Sequence, residues 1–272
     1  MKTIKSGTVS ITYPAIDWEQ IGSMQLRVND GHGQPGTWDA SFAVKAARLA
    51  EEKVLALAVT AGADLQALKD DKDLNHQAKA RRAGEIGNRF HVQSESMVTE
   101  LDSAAGRVLS ESHELLSPVK QLQQGDVVGE LKDQEVRAYV RSLTLQDRNE
   151  LIARAAQGLS PQITQAILRG LPELSGVSQS AQDRLELSGI AANHSPEILK
   201  LRELATAFSS VLITVSQAGR AVLAASGIHG ALVGDYEALA EGTKNTRNLR
   251  SWAGEIPAYA DRAPENSSGL PA

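Results

Sequence analysis

No cysteine occurs among the 272 residues of this chain, which removes disulfides, thiolate nucleophiles and cysteine metal sites together. Aromatic residues are scarce at 4%, so alanine and leucine must supply most of the packing. Alanine-rich faces bury little area each but let helix backbones approach closely. Proline is missing from residues 36–117, and a stretch that long without a helix breaker is free to run as helix. Strong charge of either sign is lacking too. The net charge of −5 gives no reason to expect a nucleic-acid partner. Lys79, Arg81 and Arg82 form the nearest basic cluster, and the Asp70, Asp71 and Asp73 group just upstream makes it read as a solvated helix junction. No apolar run follows the first lysines, so no signal peptide is expected.

What is present is ordinary globular composition, 42% apolar and 22% charged, with enough length to bury a core. Four segments are expected. Residues 1–38 form an extended N-terminal arm, residues 39–117 a long helical hairpin, residues 118–253 a helical bundle domain, and residues 254–272 an irregular tail. In the arm, Thr8–Tyr13 and Met24–Val28 alternate in polarity like short strands, and Asn29–Gly33 reads as a turn. Two strands alone are marginally stable. The arm therefore needs a surface, either on its own chain or across a neighbouring subunit, with Trp18 and Trp38 as anchors.

Asp39 is placed to cap a helix running to about Lys69. Its apolar stripe is Ala43, Ala46, Ala50, Val54, Leu57, Ala61 and Leu68. The polar run Lys69–Asp73 holds the break, and a second helix covers about 74–116. Met97, Leu101, Ala104, Val108 and Leu115 form its seam, with Glu111 where an apolar residue would be expected. These two helices are read as folded against each other.

Residues 131–190 read as a cluster of shorter helices. Thr144 and Asp147 resemble a capping box, Ser160-Pro161 a helix start, and Gly158 and Gly189 helix stops. Ser180 is a further candidate cap. Ser195-Pro196 opens the longest regular pattern: Leu201, Leu204, Phe208, Val211, Val215, Ala218 and Val222 alternate spacings of three and four. Three readings compete for it: a central helix buried on several sides, an oligomer seam, or membrane insertion through 204–234, the last disfavoured by its modest hydropathy. A last helix is expected over 235–250. The whole reads as all-α.

Four features carry residue types that can do chemistry. His113-Glu114-Leu115-Leu116-Ser117 starts like a helical zinc-protease motif, but serine replaces the second histidine. Ser117 and Lys120 have a serine–lysine acyl-transfer spacing, yet the companion Lys-Thr-Gly element is absent. Gly125–Gly129 lacks a following phosphate-loop lysine. His32, His76, His91, His194 and His229 are scattered. No residue is assigned a catalytic, cofactor-binding or metal role, no cofactor is expected, and the chain is read as not an enzyme.

Residues Ala166–Gly176, together with Leu143–Arg148, resemble a stretch in helical proteins of unknown function encoded by bacteriophages and prophages. The resemblance implies a phage genome as the setting and carries no functional residues with it. A non-enzymatic structural or assembly protein is therefore expected, a virion component that contacts itself or another structural protein. It would lie in the host cytoplasm or in the particle. A monomeric adaptor is the alternative, and a membrane-active helix the less favoured one. Interface candidates are Leu101, Val108, Leu204, Phe208, Val211 and Val215.

Overall fold

Helix accounts for 73% of the described residues in the computed structural model, so the fold class is all-α. Residues 1–29 and 35–256 are described. Most of the expected Asn29–Gly33 turn and all but the first residues of the expected 254–272 tail lie outside them. The chain packs as two compact units, each built from separate stretches. Unit 1 gathers Met1–Met24, Asp39–Leu109 and Leu201–Ser251. Unit 2 gathers the described residues of Gln25–Trp38, then Ser110–Lys200 and the residues from Trp252.

Unit 1 opens with β1 (Lys2–Ser6) and β2 (Val9–Tyr13), an antiparallel hairpin in which Ser6 pairs with Val9. Its tight turn presses on α2 (Ser41–Asp70), where a Cβ on Gly62 would lie 2.3 Å from the Ser6 carbonyl oxygen. Ser6 Oγ donates to the Val59 carbonyl at 2.7 Å. The strands thus dock on their own chain. Asp17 caps the short α1 (Trp18–Ile21), and Trp18 Nε1 donates to the buried Glu51 carboxylate of α2 at 2.6 Å.

The expected hairpin is there. α2 is followed by α3 (His76–Leu115). Lys79 Nζ reaches the Lys69 carbonyl at one end, and Arg107 sits 4.0 Å from the Phe42 ring centroid at the other, so the two run antiparallel. Asp39 caps α2 from one position further out than expected: its Oδ1 accepts from Ser41 N, and Ala40 is the formal cap residue. These Ser41 hydrogen bonds hold the Asp39 carboxyl below its ordinary range. The buried face of α2 is Ala43, Ala47, Ala50, Val54, Ala58, Ala61 and Leu65, so Ala46, Leu57 and Leu68 belong to its flank. Most of that face is alanine, and at Gly62 the absent side chain lets the hairpin turn come close.

On α3 the buried line is Phe90, Ser94, Met97, Leu101, Ala105, Val108, Ser112 and Leu116 just beyond its end. Ala105 and Ser112 take the inward places expected for Ala104 and position 111. The third major helix of unit 1 is the later part of α8 (Gln179–Ala225). Every position of its expected pattern from Leu201 to Val222 is buried, and so are Ala205, Ala207, Leu212, Thr214, Ser216 and Leu223 on other sides. This is the expected central helix. The expected single helix over 235–250 is two, α9 (Ala231–Leu239) and α10 (Lys244–Glu255), separated where Gly242 adopts φ 101°. Asp102 anchors the start of α10, accepting from Asn245 N at 3.0 Å and Asn245 Nδ2 at 2.9 Å.

Unit 2 holds the paired strands β3 (Gln25–Asn29) and β4 (Pro35–Asp39), then α4 (Val127–Ser142), α5 (Leu145–Ala156), α6 (Pro161–Leu168) and α7 (Pro172–Ser175). Trp38 Nε1 donates to Glu111 at 2.7 Å, which accounts for a carboxylate where the seam led one to expect an apolar side chain. Val140, Ala155, Ile167, Val177 and Leu185 form the core of the small helices. Thr144 Oγ1 accepts from Asp147 N and donates to the Asp147 carboxylate, the expected box in a modified form. Ser178, not Ser180, supplies the cap contact at the start of α8, accepting from Ala181 N. Gly189 does not stop a helix. It lies inside α8, where a Cβ would stand 2.7 Å from the Pro118 ring.

Candidate functional site

The motifs weighed for chemistry resolve into local structure. His113 is exposed with its ring 4.7 Å from that of Trp252. Ser117 Oγ accepts from Val119 N, and the Lys120 backbone N–H donates to Gln165 Oε1, so both are tied into a turn. Asp126 caps α4 by accepting from Gly129 N at 2.8 Å, which places the Gly125–Gly129 run at a helix start. His76 and His229 are exposed, and His32 lies outside the described residues. Among the described residues no three histidine, aspartate or glutamate side chains group as metal ligands. None of their helices is long and apolar enough to cross a membrane.

Two polar sites were not foreseen from sequence. In unit 1, a cleft of about 320 Å³ lies between α3 and α9, lined by His91, Ser94, Glu95, Val98, Asp235 and Tyr236, among others. The Tyr236 ring packs against Gly219 of α8, and its hydroxyl hydrogen-bonds Ser94 Oγ with His91 Nδ1 3.4 Å away. Ser94 Oγ donates to the His91 carbonyl at 2.9 Å, which leaves Tyr236 as donor to Ser94. Burial pushes the Tyr236 hydroxyl above its ordinary value near 10.0, Ser94 opposes that, and Glu95 and Asp235 reinforce it. Tyr236 therefore keeps its proton at neutral pH and acts as a hydrogen-bonding core residue.

In unit 2, α8 bends at His194, whose φ of −133° and ψ of 29° are not helical. The cause is next in sequence: Pro196 removes a backbone donor and crowds the preceding turn. His194 is buried at this bend, and the Arg27 backbone of β3 favours its protonated form. Glu197 accepts from Arg27 N at 3.3 Å, and Lys200 Nζ donates to the Gln25 carbonyl at 2.9 Å. Among the described residues His194 Nε2 has no partner. Burial lowers the imidazole below its ordinary value of 6.5, against the pull of Glu197 and of the Arg27 backbone.

That shift has a sign. In the unfolded chain His194 takes up a proton near its ordinary value, while the folded chain resists until lower pH. Between those values the unfolded state binds more protons, so stability is present above about 6.5 and falls as pH drops through the window. Denaturant midpoints at pH 7.5 and 5.5 should fall on acidification, and His194→Gln should flatten the difference. The comparison with the variant is needed because Glu186, raised by burial, works in the opposite direction. An unchanged pH slope in His194→Gln would remove the assignment.

The remaining feature is a surface. On α4, Val127, Val128, Leu131 and Tyr139 are each more than half exposed. Leu145, Leu159, Leu171 and Leu174 add exposed apolar side chains in the same unit. The expected interface residues Leu101, Val108, Leu204, Phe208, Val211 and Val215 are instead buried in the chain's own fold. Comparison with protein-family models, with curated proteins and with solved structures finds no match to this chain.

Proposed function

We propose that this chain is a non-enzymatic structural or assembly protein that acts through helix-mediated contacts with itself or with another structural protein. The carrying observation is the density of exposed apolar side chains between Val127 and Leu174. Single exposed leucines are normal on a globular surface, but so many within one small helical unit suit an interface. The polar groups support a non-catalytic reading, since Tyr236, Ser94, Glu51, Glu111 and Glu197 spend their hydrogen bonds on holding elements together. A phage particle is the proposed setting, and it rests on the resemblance of residues 143–148 and 166–176 alone.

The test is solution mass by chromatography with light scattering, over about a hundredfold concentration range. A discrete oligomer that dissociates on dilution is the expected result. A monomer throughout that range would turn the reading to an adaptor that meets its partner as a single chain.

A further inference from the structure

We propose that α4 is a two-fold self-pairing helix: it docks antiparallel on α4 of a second copy of this chain, with the axis passing between Asp133 and Gln134. The inference rests on the self-association reading above and names the surface, the partner and the register. At 3.6 residues per turn, Val127, Val128, Leu131, Lys132, Glu135 and Tyr139 fall within one side of α4. All six are exposed. The opposite side carries Asp133, Val136 and Val140, turned into unit 2, with Asp133 ion-paired to Arg169 at 3.3 Å.

Charge selects the occupant. In an antiparallel pair about that axis each residue i lies level with residue 267 − i of the partner. Lys132 then meets Glu135 twice, once on each side of the axis, and Val128 meets Tyr139. Asp126 and Arg141 come level at the ends. Among the described residues neither Lys132 nor Glu135 has an ion-pair or side-chain hydrogen-bond partner within its own chain. A parallel pair would set Lys132 against Lys132 and Glu135 against Glu135. The antiparallel pair also opposes the two helix dipoles. A closed, self-complementary patch of this kind is what a two-fold interface requires. Apolar contact at Val128, Leu131 and Tyr139 supplies the attraction, and the charge pairs set direction and register.

Charge exchange in the full-length chain tests it, read by the same mass measurement. Lys132→Glu alone surrounds the axis with four acids, and Glu135→Lys alone with four lysines. Each should weaken self-association roughly tenfold or more. An equimolar mixture of the two variants restores both pairs and should recover wild-type affinity as a mixed dimer. Because both positions are exposed, melting curves should match wild type, which separates pairing from folding. If neither variant weakens association, or the mixture fails to recover it, the α4 pairing is wrong. Should wild type still self-associate in that case, the assembly reading stands with a different surface. If wild type is monomeric throughout, both fall together.

Discussion

Val211→Asp should leave the chain unfolded at neutral pH. Val211 lies on the third major helix of unit 1 with no exposed surface, one turn from Phe208 and Val215, both equally enclosed. Removing the valine forfeits about 2 kcal/mol of apolar burial. Leaving an unpaired carboxylate there costs a further 3–5 kcal/mol, roughly. Folded domains hold only about 5–15 kcal/mol in reserve, so the substitution consumes most or all of it. Far-ultraviolet circular dichroism should show loss of helix, and a denaturant titration should show no cooperative transition. Val211→Ala, at about 2 kcal/mol, should stay folded with a lower midpoint. A folded Val211→Asp protein of smaller mass would instead make this helix an oligomer seam and overturn its placement in the core.

Arg148→Ala is the second large effect. The Arg148 guanidinium donates to four carbonyl oxygens: Val140 at 3.1 Å, Arg141 at 2.8 Å, Leu143 at 3.0 Å and Gly176 at 2.7 Å. The first three belong to the end of α4, where helix carbonyls have run out of intrahelical partners. The fourth follows α7, so one planar side chain ties three short helices that could not stand alone. Arg148 is only half-buried, and water can replace part of what is lost. About 2–3 kcal/mol is the expected cost. Arg148→Lys should recover little of it, because one ammonium cannot span four acceptors set around a fork. Amide exchange at residues 140–143 and 176 should accelerate in both variants. A loss of less than about 0.5 kcal/mol in Arg148→Ala would mean that the clamp is ornamental.

Much of the fold was legible because long helices write their burial into their spacing. The Leu201–Val222 pattern maps onto buried positions without a miss, and the polar run after Lys69 marks the α2–α3 break. Misreadings cluster where small residues carry the packing. On α2 the choice between Ala46 and Ala47, or Leu57 and Ala58, depends on what approaches the helix. Near Gly62 that is a hairpin turn, brought in by a segment 53 residues earlier in the chain, which no local pattern announces. Gly189 and Gly242 look alike in sequence. One admits a proline ring inside a helix and the other parts two helices, and only the tertiary neighbour distinguishes them. Glu111 interrupts its seam for a reason 73 residues away, at Trp38. The α4 surface was missed for another reason: the two glycines of Gly125–Gly129 suggest a loop between helical units, whereas Asp126 caps a helix that already begins at Val127.

The interleaving of the two units bears on how the chain emerges from a ribosome. Unit 1 takes its first two stretches from before Ser110 and its third from after Lys200. At typical synthesis speeds the intervening segment takes on the order of 10 s to appear. Throughout that interval Phe90, Met97, Leu101 and Val108 wait without the helix of unit 1 that follows Lys200. The core of unit 1 therefore closes only after the residues beyond Lys200 have been made, and late folding is written into the order of the gene.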